Sequence, residues 1–468
     1  MTEILTKIDD VLYVPVLTII LAAAGLFFTA RTGFVQLRKA KEACRLLMEK
    51  PDAENHVSSF QALMVSTASR VGTGNIVGVS TAICIGGPGA VFWMWVMCII
   101  GASSAFIEST LAQVYKQKDE KGHSYGGPAY YIGKAVKAPL ISVFFCIFLI
   151  ATYAVGFNLL CSYNLQDTFR TYDFYNKDVT PVIIGAVIAL IVGYCLLDGG
   201  GRIIKITEKI VPFMGVTYVV VSLVVVFAHV TNIPHMFAII FEDAFDLKSI
   251  FGGLTGSCMV LGIKRGLFSN EAGVGSAPNA SASAHVSHPV KQGLVQTISV
   301  YIDTLLLCTA TALMCLASGV ARNEEVSGAA YVQNAISTVF GKAGPVFITG
   351  AMILFAFTTL LGNLYYVDNA LTYLNKNRKP GKRFMNCFYV VCVLIIFAGA
   401  IISMDAAWAA ADITMGLMTI INIPVCIMLS GVAVKALKDY EKQKKEGKNP
   451  VFFAKDIGLD EDEVSFWK

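Results

Sequence analysis

The stretch STASRVGTGNIVGVS, residues 66–80, places three glycines, an arginine, an asparagine and five hydroxyl side chains inside an otherwise apolar segment. A membrane-spanning helix needs about 20 mostly apolar residues, and the segment around this stretch is long enough. In the bilayer core each unpaired backbone N–H or C=O costs several kcal/mol, and a mid-helix arginine costs about 2.5–3.5 kcal/mol on insertion scales. Because open backbone is tolerated where it lines a polar cavity, the stretch predicts a helix broken around a small polar solute.

The composition indicates a polytopic membrane protein. Of the 468 residues, 55% are hydrophobic and 15% are charged, and the mean hydropathy is +0.62. This length allows roughly ten to twelve spans joined by short loops. The twelve cysteines form no C-x-x-C pair and mostly lie in apolar segments, so we expect core residues rather than disulfides or a zinc site.

Apolar segments separated by charged loops predict eleven transmembrane helices. The first segment follows acidic residues instead of a basic n-region and is too long for a signal-peptide core, so we interpret it as a span. The predicted spans are 10–30, 58–84, 89–115, 139–168, 179–197, 203–230, 249–272, 291–318, 345–375, 384–403 and 408–434.

The segments between these spans alternate in charge. If the N-terminus is outside, the cytoplasmic segments and the adjoining span ends hold 28 lysines and arginines as far as Lys448, whereas the opposite side holds 6. Lys264, Arg265 and Lys291 are counted among the cytoplasmic cations. The positive-inside rule therefore predicts a multi-pass plasma-membrane protein with its N-terminus outside and its C-terminus in the cytoplasm.

The span pattern also suggests an inverted repeat. With the first span set aside, ten remain, and two halves of five must cross the bilayer in opposite senses. The first helix of each half is interrupted by glycines, at 72–78 and at 252–266. Paired interrupted helices at matching positions favour a secondary transporter with a midplane site, although glycine also simply permits close helix packing.

The expected domain organisation follows from this repeat. It comprises an extra N-terminal helix with a cytoplasmic amphipathic segment (1–57), two five-helix repeats (58–230 and 249–434) and a solvated cytoplasmic tail (435–468).

Six motifs resemble the alanine or glycine:cation symporter family. The likeness extends from about Ser59 to Tyr366, which is most of the chain. The motifs are VGTGNIVG at 71–78, GGPGAVFWMW at 86–95, RGLFSNEAGVGSAP at 265–278, HPVKQG at 288–293, IDT at 302–304 and FAFTT at 355–359. The resemblance implies an all-α protein of the leucine-transporter fold with one extra N-terminal helix. It also implies uptake of small neutral amino acids driven by Na⁺, or by H⁺ in some members, with no organic cofactor.

The resemblance further implies a cation site beside the helix break. Its ligands would be the carbonyls of Ala68 and Val71 and the hydroxyls of Thr358 and Thr359 in the ninth span. Carbonyls freed by an unwound helix coordinate Na⁺ in such transporters. Judged from the residues alone, adjacent threonines in a membrane helix usually bond back to their own backbone.

The break itself is the predicted substrate site. Unwinding around Gly72, Thr73 and Gly74 would expose donors for a carboxylate and acceptors for an ammonium group, and glycine lets the solute approach the backbone. Asn75 is expected either to cap the second half-helix or to bind the ion. From the seventh span we expect Gly252, Gly253, Thr255 and Gly256 to contribute, with unwinding at residues 262–266 as the alternative.

Two positions are expected to set specificity. Many family members carry tryptophan where this chain has Asn363, and glutamine where it has Cys161. Asparagine in place of an indole would enlarge the pocket and add a polar amide. Alanine, glycine, serine and glutamine all remain open as substrates.

Arg70 is expected to be functional, because a charge at mid-membrane needs a partner. The candidate partners are Asp303, Glu108 and Glu271. With Glu271 at the inner end, Arg70 would hold a gate closed; a solvated vestibule lining is the alternative. We do not expect Arg70 to bind the substrate carboxylate.

Other function classes receive little support from the sequence. The six histidines form no H-E-x-x-H, and there is no nucleophile elbow or phosphate loop, so no catalytic residues are expected. A channel would accommodate the glycines, but paired broken helices favour alternating access. The expected partners are a small neutral amino acid, Na⁺ and the lipid bilayer; the choice between Na⁺ and H⁺ and the oligomeric state stay open.

Overall fold

The computed structural model describes residues 7–9, 11–49, 56–118, 122–196, 200–246, 257–323, 326–460 and 464–467. These parts of the chain are mostly helical, as the sequence predicts, and they include one two-stranded antiparallel ribbon in which Gln117 pairs with Tyr125.

The first half begins with a π-helical turn, Leu12–Leu17, that leads into α1. Its elements are α1 (Thr18–Arg31), α2 (Val35–Arg38), α3 (Ala40–Leu46), α4 (Ser59–Arg70), α5 (Val77–Gly86), α6 (Gly89–Val114), β1 (Gln117–Lys118), β2 (Ser124–Tyr125), α7 (Pro128–Lys134), α8 (Pro139–Thr171, with a π-helical turn at Ala151–Gly156), α9 (Thr180–Leu196), α10 (Gly200–Ala228) and α11 (Ile233–Phe245).

The second half contains the longest described helix, Met404–Lys445. Its elements are α12 (Cys258–Asn270), α13 (Ala277–Ser281), α14 (Pro289–Ala317, with a π-helical turn at Ile302–Cys308), α15 (Ala329–Phe340), α16 (Ala343–Leu374), α17 (Lys382–Gly399) and α18 (Met404–Lys445).

Seven helices in the described part of the chain are long and apolar enough to cross a membrane, namely α6, α8, α10, α14, α16, α17 and α18. Shorter apolar helical stretches, Thr18–Arg31, Thr73–Gly86 and Thr180–Leu196, lie on further predicted spans. Helices α11 and α15 lie between predicted spans and were not expected. The count of eleven crossings stays a prediction.

Helix α6 lies at the centre of the bundle and contacts α1, α12 and α14. Two glycines allow these close contacts. A Cβ on Gly262 of α12 would lie 2.8 Å from the Cβ of Trp93, and one on Gly293 of α14 would lie 3.0 Å from the Phe106 carbonyl oxygen. Small residues at helix contacts let backbones approach in this way.

The seventh predicted span is only partly described. Helix α12 begins at Cys258, runs unbroken through Gly262 and Gly266 and ends at Asn270, so the alternative unwinding at residues 262–266 is wrong. The preferred unwinding point lies outside the described residues, and with it Gly252, Gly253, Thr255 and Gly256.

Lys264 and Arg265, which the charge count includes among the cytoplasmic cations, lie inside the bundle. Both lie within α12 and are 9% and 8% exposed. Lys264 pairs with Asp9 at 2.5 Å and with Asp412 at 3.0 Å. Carboxylates from distant segments of the chain therefore neutralise these two cations inside the bundle.

The C-terminal tail is packed against the bundle instead of being a solvated end. Val464 is fully buried and Trp467 is 8% exposed. The Trp467 indole nitrogen donates to the Gln113 carbonyl oxygen at the end of α6, at 2.8 Å. The run of charges before these residues suggested solvation, while the apolar residues at the extreme end supply the contact.

Candidate substrate and cation site

The predicted helix break is present between α4 and α5. The start of α4 is fixed by a capping box, in which the Ser58 hydroxyl accepts from Gln61 N at 3.1 Å and the Gln61 side chain accepts from Ser58 N. At the other end the chain leaves the helix at Val71 (ψ 87°) and is extended at Gly72, with φ −138° and ψ −159°. A single 3₁₀ turn, Thr73–Asn75, then leads into α5.

Asn75 holds the break together. Its Oδ1 accepts from the Gly72 backbone N–H at 2.8 Å, which caps the short turn. Its Nδ2 donates to Asp303 Oδ1 at 2.7 Å and to the Ser269 hydroxyl at 3.1 Å. Asn75 thus closes the 3₁₀ turn and not α5, whose start has no side-chain cap, and its amide joins the break to α12 and α14. A role for Asn75 in binding the ion stays a prediction.

Helix α16 contacts the break through Thr359. The Thr359 hydroxyl donates to the Ala68 carbonyl oxygen at 3.2 Å, and a Cβ on Gly72 would collide with that hydroxyl. The neighbouring Thr358 hydroxyl instead bonds back to the carbonyls of Leu354 and Phe355 at 3.0 and 3.2 Å. The two threonines thus differ in surroundings, and only Thr359 has a described hydrogen bond to the break.

A small pocket lies beside the break, with room for about one water molecule. It brings together the predicted residues Gly72, Thr73, Gly74, Cys161 and Thr359. Its complete lining is Ser69, Arg70, Gly72, Thr73, Gly74, Phe157, Leu160, Cys161, Phe268 and Thr359.

Sequence reasoning missed part of the wall contributed by α8. Phe157, Leu160 and Cys161 line the cavity, and Asn164 Nδ2 donates to the Thr73 hydroxyl at 3.1 Å. Their spacing of three and four residues places them on one face of a helix. This helical periodicity around Cys161 is the sequence feature that could have predicted the other residues of this wall.

Aromatic rings close one side of the cavity. The rings of Phe157 and Phe268 stack with centroids 4.6 Å apart, and Phe268 also lies 5.0 Å from the Trp408 ring. A Cβ on Gly74 would come within 3.0 Å of the Phe268 ring. The break and the stacked rings are therefore in direct contact, so a solute in this cavity would lie against both.

Asn363 lies behind the cavity wall. Its Oδ1 accepts from the Ser69 hydroxyl at 2.9 Å, and its Nδ2 donates to Asn158 Oδ1 at 3.2 Å. Asn363 is fully buried and is not among the lining residues. Its amide therefore reaches the cavity through Ser69.

Arg70 is 2% exposed, and its three side-chain nitrogens have no hydrogen-bond partner among the described residues. The predicted direct ion pair to Asp303, Glu108 or Glu271 is absent from the described part of the chain. Each carboxylate instead has other donors. Glu271 accepts from Ser276 at 2.6 Å, Glu108 from Asn422 at 2.9 Å and Asp303 from Asn75 at 2.7 Å.

Glu271 lies at a sharp turn at the end of α12. Its φ is 50°, and Gly273 and Gly275 follow with φ 88° and 92°. The left-handed region strains a residue with a side chain but not glycine. The chain therefore leaves α12 at this turn, and the role of Glu271 in a gate stays a prediction.

A second charged cluster surrounds the start of α18. Asp412 is fully buried and lies 3.0 Å from Lys264 and 3.3 Å from Arg265. The Arg265 guanidinium carbon also lies 3.7 Å from the centroid of the Trp408 ring, the same ring that contacts Phe268. The cluster therefore joins α12 to α18 next to the aromatic side of the cavity.

Comparison with known proteins places the chain in a family. The model of the sodium:alanine symporter family matches residues 1–454. The chain belongs to the sodium:alanine symporter family. It is accordingly a membrane transporter and not an enzyme.

Relatives in this family align over nearly the whole chain. The amino-acid carrier protein AlsT of Bacillus subtilis is 41% identical, covering 94% of this chain and 92% of AlsT. The probable sodium/glutamine symporter GlnT of the same organism is 39% identical, covering 98% and 94%. The sodium/alanine symporter AgcS of Methanococcus maripaludis is 34% identical, covering 96% and 99%.

Among solved structures, the fold is similar to that of MhsT, crystallised in complex with L-phenylalanine. The TM-score is 0.52 at 12% identity, covering 89% of this chain and 95% of MhsT. MhsT is a transporter of the leucine-transporter fold, so the expected type of fold is supported.

Proposed function

We propose that this protein takes up a small neutral amino acid, alanine, glycine, serine or glutamine, by symport with Na⁺ and alternating access. The observation that carries the proposal is the broken helix at Val71–Asn75, whose open backbone at Gly72, Thr73 and Gly74 lines a small pocket. Broken helices expose backbone donors and acceptors at the bilayer midplane, which suits a zwitterion and a small hard cation together.

The proposed cation site consists of the carbonyls of Ala68 and Val71 and the hydroxyls of Thr358 and Thr359. The 3.2 Å separation of the Ala68 carbonyl oxygen and the Thr359 hydroxyl supports it, because one small cation can contact two oxygens at that spacing. A hydroxyl that donates to its own helix, as Thr358 does, still has a lone pair for a cation. Two relatives of this chain, GlnT and AgcS, have names that mention sodium, which supports the choice of ion.

The proposed substrate site is the cavity, with its backbone face at Gly72, Thr73 and Gly74. Cys161 borders the cavity directly, while Asn363 acts through Ser69. Residues 252–256 are proposed to complete the site from the seventh span. Coupling of substrate binding to the inner gate is proposed to involve Arg70, Glu271 and Asp303. Arg70 would offset the charge of the buried carboxylates electrostatically, without a direct ion pair.

The proposed topology has eleven crossings, with the N-terminus outside and the C-terminus in the cytoplasm. One extra helix would precede two inverted five-helix repeats, 58–230 and 249–434. The exposed Cys44 offers a direct test, because it belongs to the first predicted cytoplasmic segment. A membrane-impermeant maleimide should label Cys44 in inverted vesicles and not in intact cells, and the opposite result would reverse the orientation.

The decisive experiment is uptake into proteoliposomes that contain the purified protein. Labelled alanine, glycine, serine and glutamine are compared with an inward Na⁺ gradient, with K⁺ replacing Na⁺, and with a proton gradient alone. Saturable uptake that needs Na⁺ supports the proposal, and the ranking identifies the substrate. Uptake driven only by protons would overturn the ion assignment, and no concentrative uptake of any of the four would overturn the substrate class.

A further inference from the structure

The chain beyond α18 folds back over one end of the bundle. Residues 446–460 and 464–467 are named here the C-terminal strap. Gly447, with φ +74°, makes the turn out of α18 in a conformation that suits glycine. Ala454 and Ile457, in a short 3₁₀ turn, are 1% and 6% exposed, so the strap has its own packed contacts.

The last described residues anchor the strap on the end of α6. The Trp467 indole nitrogen donates to the Gln113 carbonyl oxygen at 2.8 Å. The Lys116 ammonium lies 3.9 Å from the centroid of the Phe466 ring and 4.8 Å from that of Trp467. A cation over two aromatic rings is attracted to both, and Lys116 is itself fully buried.

A second anchor lies near the start of α14. The Phe452 backbone N–H donates to the Ser287 carbonyl oxygen at 2.9 Å. The Lys291 ammonium donates to Asn449 Oδ1, also at 2.9 Å. The strap is therefore fixed on both sides of the loop 282–288, which connects α13 to α14.

Between the two anchors, the strap packs against this loop. The Phe466 and His285 rings lie 5.7 Å apart, and Lys116 donates to the Ala284 carbonyl oxygen at 3.0 Å. The His285 backbone N–H in turn donates to the Val57 carbonyl oxygen at 2.9 Å. The contacts therefore continue from the strap through the loop to Val57.

Val57 directly precedes Ser58, the capping residue of α4, and α4 is the half-helix that leads to the break at Gly72. We propose that the C-terminal strap is a latch: it clamps the loop 282–288 onto the start of α4 and keeps this end of the carrier closed, and its release is a step in opening the path from the site to this side. The inference rests on the proposed alternating-access function. If the latch operates, factors that detach the C-terminal strap would regulate transport.

A buried reporter tests the latch without any substrate. Ala62 of α4 is fully buried in a small cluster with Ala284 and Val286 of the loop. An Ala62→Cys reporter is placed in a background in which the exposed or half-exposed Cys44, Cys84 and Cys387 are serine. Its labelling rate by an impermeant maleimide, applied from the strap side, measures opening of this seam.

Trp467→Ala should raise the labelling rate of the reporter at least tenfold. The matched control is Phe453→Ala, since Phe453 is also a strap aromatic but is 44% exposed, and this change should leave the rate unchanged. Hydrogen exchange shows whether the strap is detached in Trp467→Ala. If it is detached and the reporter is labelled at the same rate as in the wild-type background, the proposal is overturned.

A cross-link tests the latch in the opposite direction. The Ser465 hydroxyl lies 2.9 Å from Gln117 Oε1, so cysteines at these two positions can be joined by a short, cleavable bis-maleimide. The cross-linked carrier should still bind substrate from the other side, while its uptake falls at least tenfold and returns on cleavage. Full uptake by the cross-linked protein would overturn the latch.

These outcomes are distinct from a failure of the proposed function. If the wild-type protein concentrates none of the four amino acids, the transport assignment fails, while the reporter experiment still decides whether the strap closes the seam. If the wild-type protein transports and the strap variants behave like wild type, only the latch fails.

Discussion

Replacing Thr359 by valine tests the cation site most directly, because valine keeps the shape of the side chain and removes the hydroxyl. The hydroxyl donates to the Ala68 carbonyl oxygen at 3.2 Å, inside a fully helical and buried part of α16. A neutral hydrogen bond contributes about 0.5–1.5 kcal/mol net, and an interaction with a charged group about 1.5–3 kcal/mol. Since 1.4 kcal/mol is tenfold, losing a ligand of the cation should raise the half-saturating Na⁺ concentration about 10- to 100-fold.

The measurement is the Na⁺ dependence of amino-acid uptake in proteoliposomes, supported by Na⁺-induced protection against thermal unfolding in detergent. Thr372→Val is the matched control, because Thr372 is on the same helix and its hydroxyl donates to the Asp368 carbonyl oxygen at 2.8 Å, away from the break. We expect the control to keep wild-type Na⁺ dependence. A folded Thr359→Val protein with unchanged Na⁺ dependence would refute the assignment of this hydroxyl to the cation.

Three further changes address the remaining parts of the site. Thr358→Val should also weaken Na⁺ activation in the same assay, and wild-type Na⁺ dependence would remove Thr358 from the ligand set. Gly74→Val should abolish substrate binding without loss from the membrane, because even a Cβ would lie 3.0 Å from the Phe268 ring; retained binding by scintillation proximity would place the substrate elsewhere. Asp412→Asn removes the buried carboxylate that pairs with Arg265 and leaves Lys264 with Asp9 alone, so it should destabilise the protein by about 3–5 kcal/mol and lower its unfolding temperature in detergent. Asp405→Asn, at an exposed position of the same helix, should not, and equal unfolding temperatures for both variants would contradict the role of the pair.

The break and its cavity show how far local sequence reasoning reaches. Gly72, Gly74 and Asn75 could be assigned to a broken helix because glycine weakens a helix locally and an asparagine is a known cap. The partners of Asn75 could not be assigned in the same way. Asp303 is 228 residues away, and its hydrogen bond at 2.7 Å exists because two other helices approach the break.

The positions of charges show the limit more clearly. From the sequence, Lys264 and Arg265 could be placed only within the seventh predicted span and counted among the cytoplasmic cations. In the structure Asp9 and Asp412 neutralise this pair inside the bundle. A buried charge is stable only with such partners. The local sequence of α12 does not predict that Asp9 and Asp412, which are distant in the chain, supply them.

The sequence by itself determined the helical membrane class, the break at 71–75 and the family, because apolar run length, glycine clusters and long motifs are properties of contiguous residues. Only the tertiary structure decided that Asn363 lies behind Ser69, that Arg70 has no direct ion pair among the described residues, and that the C-terminal strap covers the end of α6. Each of these depends on which helix faces meet in space. These contacts between helix faces are set by packing between residues that are hundreds of positions apart, and the hydropathy along the chain does not predict them.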